Sequence, residues 1–225
     1  MQITDRLAAA ADRLDSPSGR WSALHLRFSN QLQAGDPGLR ATAAALMELT
    51  PEVGERQREW EEHYVRAALA HLDDRLEEAE AIITASLVYA DTVAESRVMA
   101  VYGAHLLGIR LAQGRLAELV DAVAELAAGQ PEVGAWQAAL ALAAAHAGRT
   151  EQAERAFDAL ADRPEALARD YAFTGAALAL GEAAVALADP ERAHVASRLL
   201  DPIAGRWSWV GTCTLGPVDA TRAAL

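Results

Sequence analysis

Gly114-Arg115-Leu116-Ala117-Glu118-Leu119 is the stretch that decides the fold, because the same phrase returns at the spacing of a helix hairpin. It reads Asp74-Arg75-Leu76-Glu77-Glu78-Ala79 upstream and Gly148-Arg149-Thr150-Glu151-Gln152-Ala153 downstream, with a weaker copy at Ala188-Asp189-Pro190-Glu191-Arg192-Ala193. The anchors lie 40, 34 and 40 residues apart, which is the period of stacked helix pairs. Each phrase supplies a turn residue, then polar residues, then an apolar residue five positions on, as a tight turn opening a second helix requires. The spacing predicts an all-α chain built as an α-solenoid of antiparallel helix pairs. Stacked repeats need no single central core, so residues 1–225 are expected to form one elongated domain. Its regular repeats cover about 35–203, and 204–225 are an irregular tail with a short last helix.

Composition agrees. About a quarter of the 225 residues are alanine, the best helix former, whose small side chain lets helices approach closely. Helices are expected near 38–49, 52–72, 75–90, 94–112, 115–128, 131–147, 150–162, 166–188 and 190–201, after two N-terminal ones ending at Ser16-Pro17-Ser18-Gly19 and Ala34-Gly35-Asp36-Pro37-Gly38. Pro51, Pro131 and Pro190 are expected in first helical turns, and Gly129 and Gly148 at left-handed helix ends. No strand pattern is present.

The net charge is −12, from 32 acidic and 20 basic residues, and every basic residue is arginine. Without lysine there is neither a phosphate loop of the Gly-rich Lys-Ser/Thr type nor a lysine Schiff base. The acidic balance and the lack of a dense arginine stripe argue against direct nucleic-acid binding. A single cysteine, Cys213, allows no intramolecular disulfide. The N-terminus has no signal-like apolar run. The most apolar window, 171–188, is broken by Thr174, Gly175, Gly181 and Glu182 and suits a helix enclosed by helices better than a membrane span. A cytoplasmic chain with no membrane contact is expected.

Residues 111–160 carry Gly114-Arg115-Leu116-Ala117-Glu118-Leu119, Pro131, Trp136, the alanine-rich 138–145, Gly148-Arg149 and 153–157, and here the chain resembles tetratricopeptide-like repeats. Arg169-Asp170, Ala188-Asp189-Pro190-Glu191-Arg192-Ala193, Leu199-Leu200-Asp201-Pro202 and Gly216-Pro217-Val218 extend the likeness over 35–225. Across that span it resembles the C-terminal helical region of large actinobacterial ATPase-containing transcriptional regulators and adenylate cyclases. The sequence departs from the repeat pattern where a large aromatic commonly opens each repeat: His63, Gly103, Gln137 and Ala177 stand there. The resemblance implies a right-handed superhelix with a sensing or protein-interaction role in signalling or transcriptional regulation. The ATPase, cyclase and DNA-binding parts are not in this sequence, so their activities are not carried over.

In that register the first helices of successive pairs line a concave groove. Its candidate partner-binding residues are Glu61, Tyr64, His71, Leu111, Leu142, His146, Leu178 and Glu182, with small residues such as Ala68, Ala104 and Ala138 between them. A wall of this kind suits an amphipathic helix or an extended apolar peptide, oriented by Tyr64, His71, His146 and Glu182. The same residues are also what ordinary interhelical packing would use. The expected partner is a protein, a peptide or another domain of a parent regulator. The alternative is a small-molecule sensor with an enclosed apolar pocket near His71, His146 and Glu182.

No metal, cofactor or catalytic set is expected. His63 and His71 are eight residues apart, roughly 12 Å along a helix, too far to share one ion. Glu59, Glu62 and His63 share a face that could clasp a cation weakly, yet an acidic solvated surface is the commoner meaning of Glu-Trp-Glu-Glu-His. There is no Gly-x-Ser-x-Gly elbow, and Cys213 has no histidine near it in sequence. Paired carboxylates such as Asp73-Asp74 and Glu77-Glu78 sit at helix starts, where the helix dipole favours them. Trp21, Trp60 and Trp136 are expected to fill interhelical gaps, while Trp207 and Trp209 either plug the end of the solenoid or anchor a partner. The last helix, with Val218, Ala220, Ala223, Ala224 and Leu225, has no successor to cover it. That suggests a fragment of something longer or a self-associating C-terminal end.

Overall fold

The phrase anchors are left-handed in the computed structural model, which describes residues 2–161, 167, 172–210 and 213–225. Asp74, Gly114, Gly148 and Ala188 have φ of 58°, 68°, 69° and 52°. Around each one the chain makes the same pair of hydrogen bonds. The anchor N–H donates to the carbonyl three residues back, and the next N–H donates to the carbonyl five back: Arg75 to Ala70 at 2.9 Å, Arg115 to Arg110 at 2.8 Å, Arg149 to Ala144 at 2.9 Å and Asp189 to Ala184 at 3.4 Å. This is the Schellman closure, which satisfies carbonyls that a helix end would otherwise leave open. Asp15 and Gly35 close the first two helices in the same way. The repeated phrase is therefore a repeated backbone device.

Among the described residues the chain is helical, with twelve α-helices: α1 (Gln2–Arg13), α2 (Pro17–Ala34), α3 (Leu39–Val53), α4 (Arg56–Leu72), α5 (Leu76–Ala85), α6 (Glu95–Ala112), α7 (Val120–Gly129), α8 (Gly134–His146), α9 (Thr150–Ala161), α10 (Phe173–Leu187), α11 (Pro190–Leu200) and α12 (Val218–Ala224). No helix among the described residues is long and apolar enough to cross a membrane. The chain divides into two compact units, Met1–Ile109 and Arg110–Leu225.

Several boundaries differ from the sequence expectation. Pro51 lies inside α3, one turn from its end rather than at a helix start. There the missing N–H costs a single bond, and Gly54 closes the helix by donating to the Thr50 carbonyl at 3.1 Å. Pro131 precedes α8, which begins at Gly134, and Gly129 ends α7 without a left-handed φ. The expected helices over 75–90 and 115–128 each contain a 3₁₀ turn, at Ser86–Tyr89 and Leu116–Leu119. The expected start of the tenth helix at 166 lies outside the described residues. Pro190 does open α11, with the Asp189 carboxylate accepting from the N–H groups of Glu191 and Arg192.

In the first unit α2 packs on α1 and α3, and α4 on α3 and α5. Trp21, Phe28, Leu32, Leu46, Trp60, Ile83 and Ile109 are among its large fully buried side chains. Trp21 also donates from Nε1 to Thr50 Oγ1 at 3.0 Å, so its one polar atom is satisfied inside the core.

In the second unit α8 packs on α7, α9 and α10, and α10 on α11 and α12. The alanine-rich run of α8 is buried on almost every side, which explains why it shows no amphipathic pattern. Arginines link the outer helices. Arg149, at the start of α9, reaches Asp121 of α7 at 2.6 Å, and Arg192 of α11 reaches Asp158 of α9 at 2.8 Å.

The tail is ordered by polar contacts. Ser208 N–H donates to the Gly216 carbonyl, Val218 N–H to the Arg206 carbonyl, and Thr174 Oγ1 bonds both the N–H and the carbonyl of Trp209 at 2.8 Å. Trp209 is buried and Trp207 half-buried. Gly175 allows this docking, because a Cβ there would fall 1.9 Å from Val210 Cγ1. The last helix is better seated than its sequence implies: Val218 joins a buried cluster with Ala177, Leu178, Leu200 and Ile203, and Leu225 packs against it. Ala220, Ala223 and Ala224 stay exposed.

Candidate functional site

Helix α4 carries Trp60, Glu61 and Tyr64 on one side because they fall at i, i+1 and i+4, and α2 brings Trp21, Ser22 and His25 against them by the same spacing. Glu61 is 3 % exposed. A buried carboxylate must be paired and hydrogen-bonded, and Glu61 is: Arg58 Nη1 donates to it at 2.5 Å and Gln57 Nε2 at 3.0 Å. Arg58 lies over the Trp21 ring at 4.7 Å and donates from Nη2 to Ser22 Oγ at 3.0 Å. Its orientation is set from three sides.

Arg97, from α6, is held differently. Its guanidinium lies 5.5 Å from the centre of the Trp60 ring and 3.9 Å from Glu61 Oε1, and its side chain is 56 % exposed. No described side-chain acceptor lies within hydrogen-bond distance of it. Stacking and charge orient this cation while its donors stay open to solvent.

Beside the two arginines, Tyr64 Oη meets His25 Nε2 at 3.2 Å. The Trp60 and Tyr64 rings meet edge-on at 5.3 Å, and the imidazole of His25 stacks on Trp21 at 5.2 Å. Burial, then the neighbouring Glu61 charge, holds the Tyr64 hydroxyl well above the ordinary phenol range. For His25 burial is the largest influence and pushes it down. Glu61 opposes this, while Arg58 and Arg97 reinforce it. Tyr64 and His25 therefore meet as a protonated phenol and a neutral imidazole near neutral pH.

The eight groove candidates end up in different environments. Glu61 and Tyr64 come together in this cluster, though both are buried. His71 is half-buried at the end of α4, with Nδ1 enclosed and without a hydrogen-bond partner among the described residues, and burial lowers its pKa. Leu111 is half-buried in the second unit, and Leu142 and Leu178 are fully buried there. His146 is exposed, and Glu182 accepts from Thr221 Oγ1 at 2.5 Å.

Sequence reading missed His25, Arg58 and Arg97. Two signals were available: Arg58 stands three residues before Glu61, and Trp21 and His25 are four apart on one helix face. No signal tied Arg97 to Trp60, because that contact joins two helices. The tyrosine of a second aromatic group, Tyr89, has Arg56 over its ring at 4.4 Å and His63 at its edge. Among the described residues no group of three or more His, Cys, Asp or Glu side chains is placed to hold a metal ion. Comparison with family models, with curated proteins and with solved structures finds no match for this chain.

Proposed function

We propose that this chain is a helical-repeat interaction module, the sensing or regulatory part of a bacterial signalling or transcriptional regulator. It holds a protein or peptide segment against α2, α4 and α6 of the first unit. In this reading α2–α3 and α4–α5, like α8–α9 and α10–α11, are hairpins of a right-handed solenoid. The repeated Schellman ends, and the resemblance of the phrases that make them to regulator repeat regions, are the support for that view.

The observation that carries the proposal is Arg97: a half-exposed side chain whose guanidinium lies over Trp60, with no side-chain acceptor at hydrogen-bond distance among the described residues and Glu61 no nearer than 3.9 Å. A cation oriented this way suits a carboxylate. Arg58 and Glu61 beneath it supply rigidity, since Arg58 donates from one terminal nitrogen to Glu61 and from the other to Ser22. The preferred segment therefore carries an acidic residue next to an apolar one, the charge meeting Arg97 and the apolar group lying along the helix face.

A peptide-display selection on the full chain, repeated on Arg97→Ala, tests this. Acidic–apolar peptides are expected to be enriched by the native chain and to lose about tenfold or more in affinity against the variant. Enriched peptides that bind both proteins equally would refute the assignment.

A further inference from the structure

A second surface of the first unit has the opposite charge. α1 and α3 both pack on α2 and leave a surface groove of about 410 Å³ between them. Ala8, Ala23, Leu24, Ala45 and Leu49 are its apolar lining. Asp12 stands on the α1 side, and Glu48 and Glu52, one turn apart, stand on the α3 side. Two arginines also border the groove, but each already faces an aspartate outside it: Arg20 meets Asp15 at 3.3 Å and Arg27 meets Asp5 at 3.2 Å. Asp12, Glu48 and Glu52 form no ion pair with any described residue. The groove thus pairs a lining rich in small apolar residues with three carboxylates that no described residue holds in an ion pair, one on the α1 side and two on the α3 side.

We propose that this groove is a docking site for a basic amphipathic helix, distinct from the face that carries Arg97. Charge complementarity selects the occupant. Arginines or lysines on its flanks would meet Asp12 on one side and Glu48 and Glu52 on the other, while leucine-sized side chains enter over the alanines of the lining. The alanines let the incoming helix approach closely. The small lining residues also mean that one bulky side chain would close the site.

The test is fluorescence anisotropy with the full chain and a labelled 16-residue peptide, with leucines at helical spacing and arginines flanking them. The matched peptide with glutamates in place of arginines is run beside it. Since the whole chain is acidic, a control variant carries the same change of charge elsewhere. Glu48→Gln/Glu52→Gln is compared with Glu125→Gln/Glu132→Gln, and Ala45→Trp fills the groove without altering charge. Circular dichroism and thermal melting check that each variant is folded, and all four glutamates are exposed.

The proposal expects about a tenfold loss of affinity for the basic peptide in the groove double variant and in Ala45→Trp, with the control double variant close to the native chain. Equal loss in both double variants would mean diffuse attraction to an acidic surface and would overturn it. So would full binding to Ala45→Trp, or tighter binding of the glutamate peptide. Sedimentation showing self-association of the native chain that Ala45→Trp abolishes would overturn it too, by assigning the groove to a second copy.

Discussion

Tyr64 shows how far a single position can be read in two ways. At helical spacing it is a polar handle on a groove wall. Folded, it is 4 % exposed and wedged among Trp60, His25 and His105. Removing the ring opens a cavity, so Tyr64→Ala is expected to destabilise the chain by about 3–5 kcal/mol. Tyr64→Phe keeps the ring and loses only the His25 bond, for about 1 kcal/mol. Urea unfolding of both variants checks this, and a similar, small loss in the two would mean that packing around the ring is loose. His146 is the opposite case: it is exposed at the end of α8, so its substitution changes surface chemistry rather than the core.

At the scale of the helix, the recurring turn makes a sharper claim. Gly114 and Gly148 occupy left-handed positions that suit glycine, whereas Ala188 holds the equivalent position with a Cβ in the way. Gly148→Ala should therefore cost about 1–2 kcal/mol. Ala188→Gly should stabilise by about 0.5–1 kcal/mol, the relief of strain being partly offset by the extra freedom of glycine in the unfolded chain. Opposite shifts of the urea midpoint are the expected result, and shifts of the same sign would mean that the two turns are not equivalent. The ion pairs around these turns add less. Arg149–Asp121 and Arg75–Glu78 are exposed, and solvent screening with the ordering of two long side chains leaves such pairs little net effect on stability.

For the whole molecule, acid should weaken the fold in two stages. Burial lowers the pKa of His25 and of His71 in the folded chain. The unfolded chain therefore takes up these protons first, and stability falls as pH drops through about 6.5. Asp73, Asp121, Asp189 and Asp219 are held below the usual carboxylate range, the first two chiefly by arginine side chains and the last two chiefly by backbone N–H groups. Their contribution is complete above about pH 4 and is lost as pH falls through the lowered folded values. Urea midpoints measured from pH 7.5 to 3 should show both stages, with His25→Gln/His71→Gln flattening the first. A midpoint that stays constant between pH 7.5 and 5 would contradict the burial of these imidazoles.

The sequence by itself determined the helical class and the places where the chain turns, because a Schellman end is local: a left-handed residue and the few positions around it suffice. It also determined the enclosed character of α10, whose alanine-rich window leaves no broad polar face to expose, whereas the burial of α8 came only with the fold. Only the tertiary structure decided which of the chemically versatile residues meet. Arg97 over Trp60, Ser22 on Arg58 and His25 on Tyr64 each join residues 36 to 39 positions apart. Such contacts depend on how one helix is rotated against another, and helical periodicity leaves that rotation open.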